Sequence, residues 1–315
     1  MPATLASFTG YATNVWPYVS LALLLIATGA AAWLGALLWT ARLLHKPPRM
    51  TPARALARLG RADPSDLGMP FEHRTFTLLD ADGPARNNFA AFDIAASPPR
   101  RGRVVLLHGY GDSKSGALAW APAWWSLGFD VLLPDLRAHG ESGGRFSTGG
   151  AVEPKDVAAL LDQLYADGPV VLAGISFGGL VATRAAALRP DVVAGVVLDS
   201  PILSWADATA RWGELYAMPP AGAAAHRARL RLAARWFGFE QDDPPLDETL
   251  AALACPSLAI LPTRDAMLDA AARQRIARAA TTSREFDAGH NLPLAADAGV
   301  YEEALASFVE GITNE

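Results

Sequence analysis

The chain has 315 residues, of which 51% are hydrophobic and 19% charged, and a formal net charge of −5. So apolar and weakly charged a composition excludes a globally disordered chain and a coiled coil, and the negative balance argues against general nucleic-acid binding. The single cysteine, Cys255, excludes an intramolecular disulfide and any multi-cysteine metal site.

Charge is unevenly placed. Arg42, Lys46, Arg49, Arg54, Arg58 and Arg61 are the charged residues of the first 61 positions, and all 32 acidic residues lie beyond them. From Tyr18 to Trp39 the chain reads YVSLALLLIATGAAAWLGALLW, without a charge. As a helix this stretch is about 33 Å long, enough for a hydrocarbon core of roughly 30 Å. Trp16, Tyr18, Trp33 and Trp39 place aromatic rings toward its ends, as interfacial belts do. A cleaved signal peptide would have a basic start and a shorter apolar core, and a buried core helix would show a polar face. Residues 1–41 are therefore expected to be a short tail and a transmembrane anchor. The basic flank puts the following domain in the cytoplasm by the positive-inside rule. Lysine occurs only at 46, 114 and 155 among 27 basic residues, a bias that suggests a GC-rich bacterial genome and hence a bacterial inner membrane.

Residues 42–70 form a basic, proline-rich linker through Pro47, Pro48, Pro52, Pro64 and Pro70, which no regular helix should traverse intact. Two readings stay open: a short basic helix on the membrane surface carrying Arg54, Arg58 and Arg61, or a solvated linker. From Phe71 the pattern changes. Alternating segments at 72–79 and 88–94 predict an antiparallel hairpin. Short apolar runs at 104–107, 131–133, 170–173, 192–198 and 258–261 then alternate with helical stretches near 115–127, 153–166, 178–188, 269–280 and 299–310. Continuous apolar strands alternating with helices predict an α/β fold, a mostly parallel sheet covered on both faces, over residues 71–315. An insert at about 204–254 breaks the rhythm. It holds Trp205, Trp212, Tyr216, Met218, Trp236, Phe237, Phe239 and the arginines 211, 227, 229, 231 and 235. It predicts two or three amphipathic helices forming a cap over the strand ends.

Chemistry is carried first by Gly174-Ile175-Ser176-Phe177-Gly178-Gly179, which follows a predicted strand and opens a predicted helix. This is a G-x-S-x-G nucleophile elbow in the context that gives it meaning: a sharp turn presents the serine, and glycines stand where a Cβ would meet backbone. The helix start behind the serine favours developing negative charge. His108-Gly109-Tyr110-Gly111-Asp112-Ser113 follows the strand at 104–107 and matches a loop that donates one oxyanion amide. Backbone N–H groups of Tyr110 and Phe177 are the expected oxyanion donors.

With DLRAHGESGG at 135–144, LPTRD at 261–265 and DAGHNLPL at 287–294, these motifs make residues 71–312 resemble the α/β-hydrolase superfamily. The closer likeness is to esterase-like and lysophospholipase-like members with an N-terminal membrane helix. The resemblance implies the chain order Ser, Asp, His, and so a triad of Ser176, Asp265 and His290 with no metal or organic cofactor. Ala266-Met267-Leu268-Asp269 departs from the common D-x-x-V-P continuation, which leaves Asp269 a competitor for the acid; Asp199, ending the strand at 192–198, is another. His108 and His139 read as structural loop histidines, and Asp135 as a partner for loop amides beneath the site rather than a zinc ligand with them. His45, His73 and His226 have no supporting pattern.

The resulting expectation is a membrane-anchored serine hydrolase acting on carboxylic esters or thioesters of acyl or lipid-like substrates. Alternatives are a serine peptidase or amidase of the same fold, and a catalytically silent tethered interaction module. Ser176 stands where dehalogenases carry Asp, which disfavours that chemistry.

Overall fold

The computed structural model describes residues 15–79, 85–164, 168–215, 232 and 244–313. The chain divides into two compact units, residues 1–43 and 44–315.

The first unit is helical: α1 (Trp16–His45) begins in it and ends two residues inside the second. Its 24-residue stretch Trp16–Trp39 holds an 18-residue window of mean hydropathy 2.2, long and apolar enough to cross a bilayer. The Thr28 hydroxyl inside it donates to the Leu24 carbonyl at 2.8 Å and is thus satisfied within the helix. Leu23, Leu24, Leu25 and Ile26 are 61–67% exposed.

In the second unit, the predicted linker differs from expectation at both ends. The helix continues past 41 and stops at His45, before Pro47 and Pro48. A second helix, α2 (Pro52–Leu59), follows, with Thr51 accepting from the Arg54 amide and left-handed Gly60 (φ 69°) ending it. Arg54 and Arg58 lie exposed on α2, while Arg61 falls beyond its end. Nor is the segment a solvated linker. Ala55, Pro64 and Met69 are buried. The Arg49 guanidinium donates to the carbonyls of Gly140 at 3.0 Å, Ser142 at 2.7 Å and Gly144 at 3.1 Å. Pro48 sits where a Cβ on Gly111 would reach it at 3.7 Å, and the Ser115 hydroxyl donates to the Ala62 carbonyl at 2.6 Å. Residues 44–70 are thus a strap across the loops that follow two strands of the sheet. Charged donors to carbonyls contribute about 1.5–3 kcal/mol each when they are lost without replacement. Arg49→Ala is expected to lower the melting temperature of the purified chain by several degrees, whereas Arg54→Ala, with one exposed bond to the Arg49 carbonyl, should leave it nearly unchanged.

The sheet has eight strands in the order β1-β2-β4-β3-β5-β6-β7-β8. The hairpin β1 (Phe71–Leu79) and β2 (Ala85–Ile94) is antiparallel, as predicted, and β2 pairs antiparallel with β4 (Phe129–Pro134). From β4 through β3 (Gly102–Leu107), β5 (Val170–Ile175), β6 (Val193–Asp199) and β7 (Ser257–Pro262) to β8 (Thr282–Phe286), all pairings are parallel. Alternate residues feed separate cores on the two faces: Val105, Leu107 and Leu172 on one, Val104, Leu106, Val171 and Ala173 on the other. This is why the strands read as unbroken apolar runs. The chain steps from β3 out to β4 and back across to β5, so the crevice beyond the carboxyl ends of β3 and β5 is the topological switch point, where sites of open α/β sheets form.

Other departures are local. The helix predicted at 115–127 is two short ones, α3 (Lys114–Ala117) and α4 (Ala121–Ser126), since Pro122 fits only a first turn. The helix predicted from 153 ends at Leu161 (α5, Glu153–Leu161). After α6 (Phe177–Leu188), the described parts of the insert at about 204–254 hold α7 (Trp205–Leu215) near its start and α8 (Leu246–Ala251) near its end. Tyr216, Met218, Arg227, Arg229, Arg231, Arg235, Trp236, Phe237 and Phe239 lie outside the described residues. After β7 come α9 (Ala270–Ala279), β8, α10 (Pro293–Ala296) and α11 (Ala298–Thr313).

Candidate active site

The sheet register brings the predicted site residues to one edge. Gly174 pairs with both Leu107 and Leu198, Ile175 with Asp199, Asp199 with Ile260, and Pro262 with Phe286. Ser176 therefore leaves β5 beside the end of β6, Asp265 follows the end of β7, and His290 follows the end of β8.

Ser176 has φ 54° and ψ −114°, a conformation that costs a non-glycine residue about 1–3 kcal/mol and persists only when its surroundings enforce it. Its amide donates to the Asp199 carbonyl at 2.9 Å and its carbonyl accepts from Gly179 at 3.0 Å. The elbow is tight: a Cβ on Gly174 would stand 2.3 Å from the Gly178 carbonyl carbon, and one on Gly178 would stand 2.2 Å from the Leu107 oxygen. Only glycine fits either position without moving backbone.

The Ser176 hydroxyl and His290 Nε2 are 2.8 Å apart, and His290 Nδ1 and Asp265 Oδ2 are 2.8 Å apart. The other Asp265 oxygen accepts the Met267 amide at 2.6 Å, and its side chain has no exposed surface. A carboxylate only accepts, so Nδ1 carries its proton toward Asp265 and Nε2 presents a lone pair to the hydroxyl. His290 keeps some exposure, as a group serving substrate must.

The competing acids are placed elsewhere. Asp269 caps α9, accepting from the Ala272 amide, which holds its carboxyl below the usual range, and it pairs with Arg211. Asp199 takes the Trp120 indole at 2.7 Å, the Tyr301 hydroxyl at 3.0 Å and the Ser200 hydroxyl at 2.7 Å. Complete burial raises its carboxyl above the usual range against these bonds.

Tyr110, in the loop after β3, and Phe177, at the start of α6, have ring centroids 5.9 Å apart, and the Trp205 ring of α7 lies tilted against both at 4.7 and 5.3 Å. Phe177 is the first residue of α6, so its amide has no carbonyl within the helix to bond. A Cβ on Gly109, just before Tyr110, would stand 3.6 Å from the Ser176 Cβ, so this loop lies against the nucleophile position. His108 and His139 face the loop backbone. His108 Nε2 accepts the Leu136 amide at 2.9 Å, and its Nδ1 lies 2.7 Å from the Gly109 carbonyl. His139 Nδ1 lies 2.8 Å from the Arg137 carbonyl, and burial pushes its imidazole well below the ordinary value. Asp135 accepts the amides of Lys114 at 2.7 Å and Glu141 at 2.8 Å. Three residues at the site have no role assigned by sequence: Ser200 falls in no quoted motif, Asn291 sits in DAGHNLPL only as the neighbour of His290, and Trp205 is one aromatic of the insert among several.

The profile described as "Alpha/beta hydrolase family" matches residues 104–304. Over 107 residues the chain is 37% identical to the lipase LipV of Mycobacterium tuberculosis, a stretch that is 34% of this chain and 40% of that lipase. Over 100 residues it is 38% identical to an esterase of the same organism, covering 30% of this chain and 32% of the esterase. The chain thus matches less than half the length of either curated relative. Among solved structures, an esterase of Pyrococcus furiosus superposes with a TM-score of 0.64 at 21% identity, over 85% of this chain and 98% of that one. A bacterial membrane phospholipase A superposes with a TM-score of 0.56 at 17% identity, over 95% and 99%. Sheet order, elbow and the matched span from β3 into α11 agree, and the chain belongs to the alpha/beta hydrolase family.

Proposed function

We propose that the protein is a membrane-anchored serine hydrolase that cleaves carboxylic ester or thioester bonds of acyl, lipid-like substrates. The observation that carries this reading is the unbroken hydrogen-bonded line from Ser176 Oγ through the His290 ring to Asp265. In the first step, Ser176 Oγ attacks the acyl carbonyl carbon while His290 Nε2 takes the hydroxyl proton. Asp265 holds the ring and stabilises the imidazolium that forms. The amides of Tyr110 and Phe177 donate to the tetrahedral oxyanion, a contribution of roughly 3–4 kcal/mol per donor. Collapse breaks the bond to the alcohol or thiol, which leaves with the proton from Nε2. Water, deprotonated by the same nitrogen, then releases the acid and restores Ser176.

Membrane anchoring is supported by the exposed apolar helix α1 and the basic residues that follow it, which favour a cytoplasmic catalytic unit at a bacterial inner membrane. An enzyme so tethered meets acyl chains at the bilayer surface, and esterase and lipase relatives agree with an ester substrate.

The test is a survey with the detergent-solubilised full chain across esters from butyryl to palmitoyl, matching thioesters, and peptide anilides. Turnover of long-chain acyl esters or thioesters is expected. Cleavage of short soluble esters with long ones ignored would contradict the lipid reading, and cleavage of peptides alone would contradict the ester reading.

A further inference from the structure

Four non-glycine residues among those described have a positive φ: Ala138, Ser176, Ser200 and Asn291. Three of them meet in one network. Ser200, at φ 49°, follows Asp199, whose carbonyl holds the Ser176 amide. The Ser200 hydroxyl donates to Asp199 Oδ1 at 2.7 Å and accepts the amide of Asn291, itself at φ 59°, at 3.0 Å. Asn291 follows His290 directly. Strained backbone is retained where its surroundings over-determine it, and such residues cluster at working sites.

From this geometry we infer that Ser200, oriented by the Asp199 carboxylate, is a positioning residue that sets the place of the His290 imidazole. The direction of each bond is dictated. The Asn291 N–H can only donate, so the Ser200 oxygen accepts it and its own proton points to Asp199 Oδ1. Trp120, the N-cap of α4, and Tyr301 from α11 hold the second carboxylate oxygen, so elements on the same face of the sheet lock the acceptor in place. Ser200 itself has no exposed surface, and its amide is fixed to the Ile260 carbonyl at 3.0 Å. One dipeptide thus grips the nucleophile's amide through the Asp199 carbonyl and the amide next to the base through the Ser200 hydroxyl. That arrangement couples the two reacting side chains across 114 residues of sequence. Without the hydroxyl, the Asn291 amide loses this anchor, and a left-handed asparagine is freer to relax and carry the imidazole with it.

This inference rests on Ser176 and His290 acting as nucleophile and base, so one series of variants separates the two. In the full chain, kcat and KM for a soluble chromogenic ester are measured in wild type, Ser200→Ala, Asp199→Asn, the double variant Ser200→Ala/Asp199→Asn, and Ser176→Ala. A misplaced base slows chemistry without weakening binding; displacement of a catalytic group by about 1 Å costs on the order of 100-fold. Ser200→Ala is expected to lower kcat about 10- to 100-fold with KM within about twofold. Because the carboxylate acts through the hydroxyl, the double variant should be no slower than Ser200→Ala. Ser200→Ala also removes one small polar group, so it stays informative if Asp199→Asn folds poorly. Unchanged kcat in Ser200→Ala, or a loss borne by KM, overturns the positioning role while Ser176→Ala remains dead. Activity surviving in Ser176→Ala overturns the triad reading instead.

Discussion

Ser176→Ala is expected to lower kcat/KM for ester hydrolysis by about 10⁴-fold or more, while the variant melts within a few degrees of the parent chain. The size follows from the geometry. Removing the hydroxyl leaves His290 Nε2 without the oxygen it faces at 2.8 Å, so no acyl-enzyme forms and only oxyanion stabilisation remains for a direct attack by water. The effect on stability is small because the elbow is held by main-chain bonds, from the Ser176 amide to Asp199 and from Gly179 back to Ser176, which alanine keeps. Alanine pays the same positive-φ cost as serine, so strain is neither relieved nor added. Hydrolysis assays beside thermal melts check both halves; a variant retaining a tenth of the activity would remove Ser176 from the chemistry.

Lys114→Met is expected to lower stability by about 3–5 kcal/mol. Lys114 opens α3 directly after the oxyanion loop and is 2% exposed, and its ammonium lies 2.7 Å from Asp135, which has no exposed surface. Glu141 also pairs with it, and the Phe92 ring lies 5.0 Å away. Methionine keeps the aliphatic stem and removes the charge, which leaves the Asp135 carboxylate buried with two amides and no cation. Against a typical total of 5–15 kcal/mol, that loss is large. Adding Asp135→Asn should restore part of it by removing the uncompensated charge. Denaturant unfolding of the three chains measures this; a loss under about 1 kcal/mol for Lys114→Met would mean that the pair contributes no more than a surface ion pair.

What sequence alone made legible was decided by steric and polar necessity. The elbow could be read because its glycines have no substitute: at Gly174 and Gly178 a side chain would enter backbone. The fully buried strands could be read because both their faces meet a core. β8 was not singled out, since TSREF is an edge strand exposed at four of five positions and carries no apolar run. The strap over 44–70 looked like a linker because prolines and arginines resemble solvated chain, and only the fold supplies the carbonyls of residues 140, 142 and 144 that Arg49 binds. Asp199 was recognised as a carboxylate near the site but not in its observed company. Its link through Ser200 to Asn291 spans 91 residues and depends on the register of β6 and β7 and on the loop after β8, none of which leaves a periodic mark.

The most direct measurement is the site of covalent capture by a fluorophosphonate, in which a serine oxygen displaces fluoride from phosphorus. Peptide mapping of the labelled chain should find a single adduct on the peptide containing Ser176, formed far more slowly in His290→Ala. An adduct on another residue, or active enzyme that hydrolyses esters while Ser176 stays unlabelled, would contradict the account.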